Sequence, residues 1–310
     1  MSPHSGAAPI DLRSALLAAL VAVSRGGNQV AIKLTLTAMG PSASALARMA
    51  TSAATIGLWS TARAASLLPR RHEIGPLAAL GTIFTIQIFL LHTGADLTSP
   101  AYAVLLINAN PIFANLISHA VVPEDRLTLP RLAGVLSAFV GVSIILLGRP
   151  EPELAPAPAL GNALVLVSGA LVGARTVYLQ RLVQRMETVK AVFWQTLSSL
   201  PFFALGAWLA PARIARGDFS GEALAAILYQ GTIVGGFALL LWVKLLRRHT
   251  AGTLTPFSFF TPVAGLLLSA WIFGEEISWR VLVGGLAVLA GVRAASRRAP
   301  PQQSSAAASE

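Results

Sequence analysis

Long apolar stretches alternate with short polar segments along the whole chain. We read ten apolar stretches, at 14–37, 43–66, 75–94, 98–122, 129–148, 158–181, 188–210, 221–244, 251–274 and 279–297. Each is close to the roughly 20 residues that a helix needs to cross the hydrocarbon core of a bilayer. The apolar runs are continuous and do not alternate residue by residue, as the strands of a transmembrane barrel would. The pattern therefore predicts an all-α membrane protein with ten transmembrane helices.

The polar segments divide the ten predicted spans into two groups of five. A linker rich in Pro and Glu at 149–157 separates a first repeat at 14–148 from a second at 158–297. An N-terminal tail at 1–13 precedes the first span. The tail at 298–310 is rich in Pro, Gln, Ser and Ala, a composition that predicts disorder.

The two halves also resemble each other in sequence. Pro262 lies 151 residues after Pro111, and Gly291 lies 150 residues after Gly141. Because each repeat has an odd number of spans, the second enters the membrane in the opposite orientation to the first. Inverted repeats are common in secondary transporters, whose binding site lies near the midplane between the repeats.

Composition and charge refine this interpretation. Hydrophobic residues make up 55% of the chain and charged residues 12%, so most of the surface must face lipid. The net charge of +10 is spread over short clusters between the spans, which argues against a nucleic-acid partner. With a cytoplasmic N-terminus, the inner segments hold 15 Lys and Arg and the outer segments four. This bias predicts a multi-pass protein of the bacterial inner membrane with both termini in the cytoplasm.

Several short motifs resemble, in order and spacing, those of the drug/metabolite transporter superfamily, in particular its EamA-type members. The motifs stand at 27–33, 45–49, 110–111 with 123–124, 228–229, 241–244, 261–262 and 274–275. The resemblance covers about residues 14–297. It implies ten helices around a central cavity, lined chiefly by spans 1, 3, 4, 6, 8 and 9, that opens by alternating access. It implies no particular substrate, and no single motif is specific.

Basic residues inside the predicted spans are the main candidates for binding, since ionisable groups there are costly and tend to face an interior cavity. Arg25 shares one face of span 1 with Asn28, and Arg175 shares one face of span 6 with Tyr178. Both arginines replace an aromatic residue that is often found in the family. Two guanidinium groups facing a common space would bind a carboxylate or a phosphate in a bidentate way. For Arg175 the alternative is that it reaches to the cytoplasmic surface.

Polar and aromatic residues complete the predicted substrate-binding set. Gln87 in span 3 and Asn108 in span 4 need partners inside protein or water, so each either binds substrate or joins two helices. The resemblance places Trp242 and Phe257 at the cavity. Lys33, near the outer face, is expected to anchor a span or to pair.

Four further groups have expected roles away from the substrate. Arg48 is also near the outer face and is expected to anchor or pair. The acidic pairs at 124–125 and 275–276 are expected at the membrane interface. Pro111 and Pro262 are candidate gating points, because a proline frees a carbonyl one turn back and can kink its helix; a static bend is the alternative.

No catalytic set, metal site or cofactor motif stands out. The chain has no cysteine, its five histidines are scattered, and no phosphate-binding Gly-Lys-Ser/Thr motif is present. We therefore predict no enzyme activity, no metal and no cofactor. Acidic residues are scarce in the spans, so exchange or facilitated transport is favoured over proton coupling by a buried carboxylate.

The expected function is secondary transport of a small polar metabolite, with an anionic group favoured by Arg25 and Arg175. Export of an amino acid or aromatic metabolite is the alternative, with both arginines on its carboxylate. A non-transporting structural or lipid-binding protein is the third hypothesis. The expected partners are a small-molecule substrate and membrane lipid, with the protein a monomer or weak homodimer.

Overall fold

A computed structural model describes residues 11–63, 65–121, 129–148, 150–210, 220–248, 257 and 260–295, and these residues contain no strand. In chain order the helices are α1 (Leu12–Ala38), α2 (Pro41–Ala62), α3 (Arg71–Leu97), α4 (Pro100–Ile107), α5 (Asn110–Val121), α6 (Leu129–Leu146), α7 (Pro158–Leu182), α8 (Thr188–Leu197), α9 (Leu200–Leu209), α10 (Gly221–Leu228), a π-helical segment (Tyr229–Ala238), α11 (Leu239–Arg248), α12 (Phe260–Phe273) and α13 (Trp279–Ala295).

These helices form ten spans in the predicted order. Span 4 consists of α4 and α5, span 7 of α8 and α9, and span 8 of α10, the π-helical segment and α11, while each other span is one helix. Six of the ten are long and apolar enough to cross a membrane, and three others contain shorter apolar helices. Large apolar side chains such as Leu58 and Trp271 are exposed, as lipid-facing residues would be. The prediction of an all-α membrane protein with ten spans is confirmed.

The helix contacts show the inverted symmetry of the two repeats. Three contacts join helices with the same place in each repeat: α2 with α9, α4 with α12, and α6 with α13. Other contacts come in exchanged pairs. The packing of α3 on α7 is matched by that of the π-helical segment on α1, and the packing of α1 on α12 by that of α7 on α5. If each helix is replaced by its counterpart in the other repeat, the same contacts are obtained. This indicates a pseudo-two-fold axis and confirms the prediction of two inverted repeats.

Spans 5 and 10 pack backbone against backbone at two symmetry-related glycines. A Cβ atom added to Gly141 would lie 2.5 Å from the carbonyl oxygen of Gly284, and one added to Gly284 would lie 2.7 Å from that of Gly141. No side chain fits at either position. Small residues let transmembrane helices approach closely, and these two glycines do so here.

Span 4 is interrupted at 108–109, and Pro111 explains why. Proline has no N–H to donate to the carbonyl of Ile107, four residues earlier, and α4 ends there. The side-chain Nδ2 of Asn110 donates to the Ile107 oxygen at 2.9 Å and fills the vacant position. Pro262 lies in the first turn of α12, where a missing N–H is tolerated. The use of the two prolines as gating points stays a prediction.

Lys33 anchors helix ends at the side of the bundle where α1 and α3 end, which we call the outer end. Its Nζ donates to the backbone carbonyls of Ala95 (3.1 Å), Asp96 (3.2 Å), Thr98 (3.0 Å) and Leu154 (2.6 Å). A cation is favourable here because the C-terminal carbonyls of α3 carry partial negative charge. Lys33 therefore anchors the helix ends, as expected.

Two acidic residues are buried in the structure. Glu275 is 4% exposed, and its carboxylate accepts hydrogen bonds from the Ala101 N–H at 3.2 Å and the Ser269 hydroxyl at 2.5 Å. It caps the start of α4, and its expected place at the membrane interface stays a prediction. Glu73 pairs with Lys190 at 3.0 Å between α3 and α8, with both side chains largely buried. The expected interfacial pair at 124–125 lies outside the described residues.

The Gly141–Gly284 contact yields a stability prediction. Gly141→Val should lower the apparent melting temperature of the purified protein, because overpacking costs about 1–3 kcal/mol where the neighbouring backbone cannot move. Gly75→Ala is the matched control, since a Cβ there meets nothing within 4 Å. Thermal unfolding in detergent measures both; equal melting temperatures for the two variants would show that the contact carries no stability.

Candidate functional site

Arg25 lies near the middle of α1 and stacks on an aromatic residue of span 8. Its guanidinium carbon lies 4.9 Å from the centre of the Trp242 indole, a cation–π contact. Trp242 and Phe257 both pack against an apolar cluster formed by Ala18 and Leu245. The structure thus brings together three of the predicted site residues: Arg25, Trp242 and Phe257.

Arg175, on α7, extends into the protein. Its Nη1 donates to Oε1 of Gln195 at 3.2 Å, and its guanidinium carbon lies 5.0 Å from the centre of the Phe84 ring. Its Nε is buried and has no acceptor among the described residues. Arg175 also lies close enough to Arg25 for their charges to repel each other. The two predicted arginines therefore share one region of the interior.

Arg48 belongs to the same region, although the sequence suggested an anchoring role. Its charge and that of Arg175 repel each other. Its charge also acts on the imidazole of His92 on α3, which is fully buried. The Nη1 atom of Arg48 is buried without a hydrogen-bond partner among the described residues. The structure thus assigns Arg48 to an interior cluster of basic groups.

The three arginines are linked by repulsion between their charges: Arg25 acts on Arg175, and Arg175 acts on Arg48. All three are largely desolvated, and each keeps part of its surface accessible. No carboxylate contacts any of them in the part of the chain that the structure describes. We call Arg25, Arg175 and Arg48 the arginine row.

Both repeats of the chain match one known protein family. The model of the EamA-like transporter family matches residues 12–147 and 159–297, one segment for each repeat. The chain belongs to the EamA-like transporter family. It is therefore a transporter and not an enzyme, which confirms that prediction.

Individual relatives of this EamA-like transporter agree with the assignment. Two proteins of Archaeoglobus fulgidus, each named an uncharacterized transporter, are 26% identical over 71% of this chain and 76% of their own, and 22% identical over 91% and 97%. A protein of Salmonella typhimurium named a probable amino-acid metabolite efflux pump is 24% identical over 68% of this chain and 72% of its own. One solved crystal structure matches the fold with a TM-score of 0.65 and 19% identity, over 92% of this chain and 97% of that one.

Three other predicted binding residues of the EamA-like transporter have partners within the protein. Gln87 Nε2 donates to the Ser168 hydroxyl at 3.0 Å and joins spans 3 and 6. The Tyr178 hydroxyl donates to the Pro76 carbonyl at 3.2 Å, outside the arginine row. Asn108 Nδ2 donates to the Val104 carbonyl of its own helix at 2.7 Å. These hydrogen bonds account for the three side chains without a ligand, so their role in binding stays a prediction.

Asn28 lies one turn from Arg25 toward the outer end. It is buried, and its Oδ1 has no hydrogen-bond partner among the described residues, nor does Oε1 of the adjacent Gln29. The π-helical segment packs against this part of α1. The Tyr229 hydroxyl donates to the Ser24 carbonyl at 2.5 Å, and Gln230 Nε2 donates to the Ala31 carbonyl at 3.1 Å. Segments of π-helix are frequent at functional sites, and this one lies beside Arg25.

Four contributors lie outside the predicted substrate-binding set. Arg48, Phe84 and Gln195 contact or act on Arg175, and Arg48 acts on His92. Arg48 is a candidate as a cation flanked by apolar residues within a span, but its depth favoured an anchoring role. No such signal exists for Phe84, because one phenylalanine among many apolar residues is inconspicuous.

Arg48 has no contacting carboxylate among the described residues, whereas Lys190 is paired with Glu73. Removing the two charges should therefore change the melting temperature in opposite directions. Arg48→Met should raise the apparent melting temperature of the ligand-free protein by about 2–4 °C for each kcal/mol of repulsion that is removed. Lys190→Met should lower it, since Glu73 would lose its ion-pair partner and keep only the hydrogen bond from the Arg70 N–H. Both are measured by thermal unfolding without added anion. A fall for Arg48→Met comparable with that for Lys190→Met would mean that Arg48 already has a compensating partner.

Proposed function

We propose that this EamA-like transporter carries a small polar metabolite with an anionic group across the inner membrane by alternating access. The observation that supports the proposal is the arginine row, which concentrates three cations in the interior with no contacting carboxylate among the described residues. A protein interior that holds such an excess of one charge is suited to a ligand of the opposite charge.

The charges of the arginine row repel one another in a poorly solvated region. Two like unit charges roughly 8 Å apart repel by about 2 kcal/mol at an effective dielectric constant of about 20. An anion between two arginines replaces this repulsion by two attractions. Binding energy is therefore available to any carboxylate or phosphate that reaches the row.

The chemistry of the guanidinium group narrows the ligand further. Its planar donors match the oxygens of a carboxylate or phosphate in a bidentate arrangement. In Arg25 the guanidinium is positioned by stacking on Trp242, which uses none of its N–H donors. Arg175 gives one donor to Gln195 and keeps a buried Nε without an acceptor. Both arginines thus retain donors for a ligand.

The architecture supports alternating access about this row. Arg25 and Arg48 belong to the first repeat and Arg175 to the second, so a ligand that contacts all three would lie between the repeats. Binding at the interface of inverted repeats, with one repeat rocking against the other, is the general pattern of such transporters. The excess of Lys and Arg in the inner segments supports cytoplasmic termini.

Export of an amino acid is the second candidate. The unpartnered amide oxygens of Asn28 and Gln29 lie close along α1 to Arg25. They could accept hydrogen bonds from an ammonium group while Arg25 and Arg175 bind the carboxylate. The relative from Salmonella typhimurium named a probable amino-acid metabolite efflux pump gives this candidate additional support.

Flux through proteoliposomes tests the proposal. Arg25→Gln and Arg175→Gln should each slow uptake of a small carboxylate roughly 10- to 100-fold, because a hydrogen bond to a charged group contributes about 1.5–3 kcal/mol. Arg63→Gln is the control, since Arg63 is exposed at the end of α2 and stacks on Trp59.

The same assay separates the two candidate substrates. Asn28→Ala should reduce flux of a zwitterionic amino acid and leave that of a simple carboxylate unchanged if amino acids are the substrate. Unchanged carboxylate and amino-acid flux in both arginine variants would refute the anion proposal.

A further inference from the structure

His92 presents an unpaired hydrogen-bond acceptor in the interior. It lies on α3 and is 0% exposed, and its Nδ1 lies 3.0 Å from the carbonyl oxygen of Ile88. A carbonyl oxygen only accepts, so Nδ1 carries the hydrogen and Nε2 of the neutral ring is left with a lone pair. Nε2 is buried and has no partner among the described residues.

Arg48 presents an unpaired donor in the same neighbourhood. Its Nη1 is buried without a partner in the described part of the chain, and its charge acts on His92. A buried polar atom without a partner costs roughly 1–3 kcal/mol, and such atoms are rare in native proteins. Because α2 and α3 pack against each other, this donor and this acceptor lie on neighbouring helices, where one ligand can satisfy both.

The pair lies at a different depth from Arg25. Arg48 is the eighth residue of α2, about 10 Å from the outer end at a rise of about 1.5 Å per residue. His92 lies five residues before the end of α3, which is about 8 Å from the outer end. Arg25 lies 13 residues before the end of α1, about 20 Å away. The Cα atoms of Arg48 and Arg25 are thus about 10 Å apart along the membrane normal, a separation that two groups of one ligand can span.

We propose that Arg48 and His92 form a second subsite, which binds a hydroxycarboxylate end of an elongated substrate whose other anionic group is held by Arg25 and Arg175. The inference rests on the proposed function, since it assumes an anion at the first site. The carboxylate accepts a hydrogen bond from Arg48 Nη1, and the neighbouring hydroxyl donates to His92 Nε2. Both unsatisfied atoms then have partners.

Other groups fit this pair less well. An ammonium group would suit His92 Nε2 but would be repelled by Arg48. A plain carboxylate would accept a hydrogen bond from Arg48, but its oxygens have no hydrogen to donate to Nε2, so two lone pairs would face each other. A phosphate monoester has a second pKa near 6 and has lost most of its hydroxyl hydrogen at neutral pH. The hydroxycarboxylate is the group that supplies an anionic oxygen and an O–H donor together.

Four probes separate the contributions of the two subsites. Propionate has one carboxylate, succinate has two, and L- and D-malate add a hydroxyl beside one of them. Binding to the full-length protein in detergent is measured by calorimetry and by the rise in melting temperature. The wild type should bind succinate at least tenfold more tightly than propionate, and one malate enantiomer several-fold more tightly than succinate.

Variants at the two residues should have distinct effects. Arg48→Gln should abolish the advantage of succinate over propionate, because it weakens succinate binding far more than propionate binding. His92→Met should reduce malate to the level of succinate. His92→Gln keeps a side-chain oxygen acceptor and should retain the preference for malate. Arg63→Gln and His72→Met are the controls, since both residues are exposed on the same two helices.

Each outcome decides for or against the second subsite. If Arg48→Gln weakens the binding of propionate and succinate equally, Arg48 acts only by the long-range attraction of its charge. The second subsite is then refuted, while the proposed function stands. If the wild type does not prefer malate, or if His92→Met keeps that preference, the pair binds water alone and the inference is wrong. If propionate binding is unaffected by Arg25→Gln and Arg175→Gln, it is the proposed function that fails.

Discussion

Positive charge without a contacting counter-charge is the constraint on which the site depends. Elsewhere the protein compensates its buried ionic groups within itself: Lys33 by four carbonyls, and Glu73 and Lys190 by each other. The arginine row is the exception among the described residues. The repulsion between these three guanidinium groups remains in the ligand-free protein, and the proposed anionic substrate would relieve it.

The two repeats contribute unequally to that site. Arg25 and Arg175 lie 150 residues apart at equivalent positions, yet Arg25 stacks on Trp242 while Arg175 contacts Phe84 and Gln195. The π-helical segment occurs in span 8, whereas its counterpart in span 3 lies within one continuous α-helix. The scaffold is therefore nearly symmetric, and the lining of the interior is not. Such an arrangement lets a repeated architecture bind a ligand whose two ends differ.

Sequence patterning predicted the scaffold better than the site. Ten apolar runs and a mid-chain linker specify spans and repeats, because length and hydropathy alone determine whether a segment can cross a membrane. Arg25 and Arg175 were found because a cation in an apolar run is conspicuous. Arg48 was assigned by its depth, but depth does not show which way a side chain points. The burial of Glu275 and the Glu73–Lys190 pair depend on how separate spans meet, which no local pattern encodes.

The contact between Gly141 and Gly284 has a mechanical consequence. It joins the two repeats at helices that occupy the same place in each, so it lies close to the pseudo-two-fold axis. Backbone meets backbone there, and the side chains of Val288 and Ile145 pack beside the two glycines. A β-carbon at either position would collide with the opposite helix, so a larger residue would have to push the two repeats apart. The spacing between the repeats at this point is therefore set by the absence of two methyl groups.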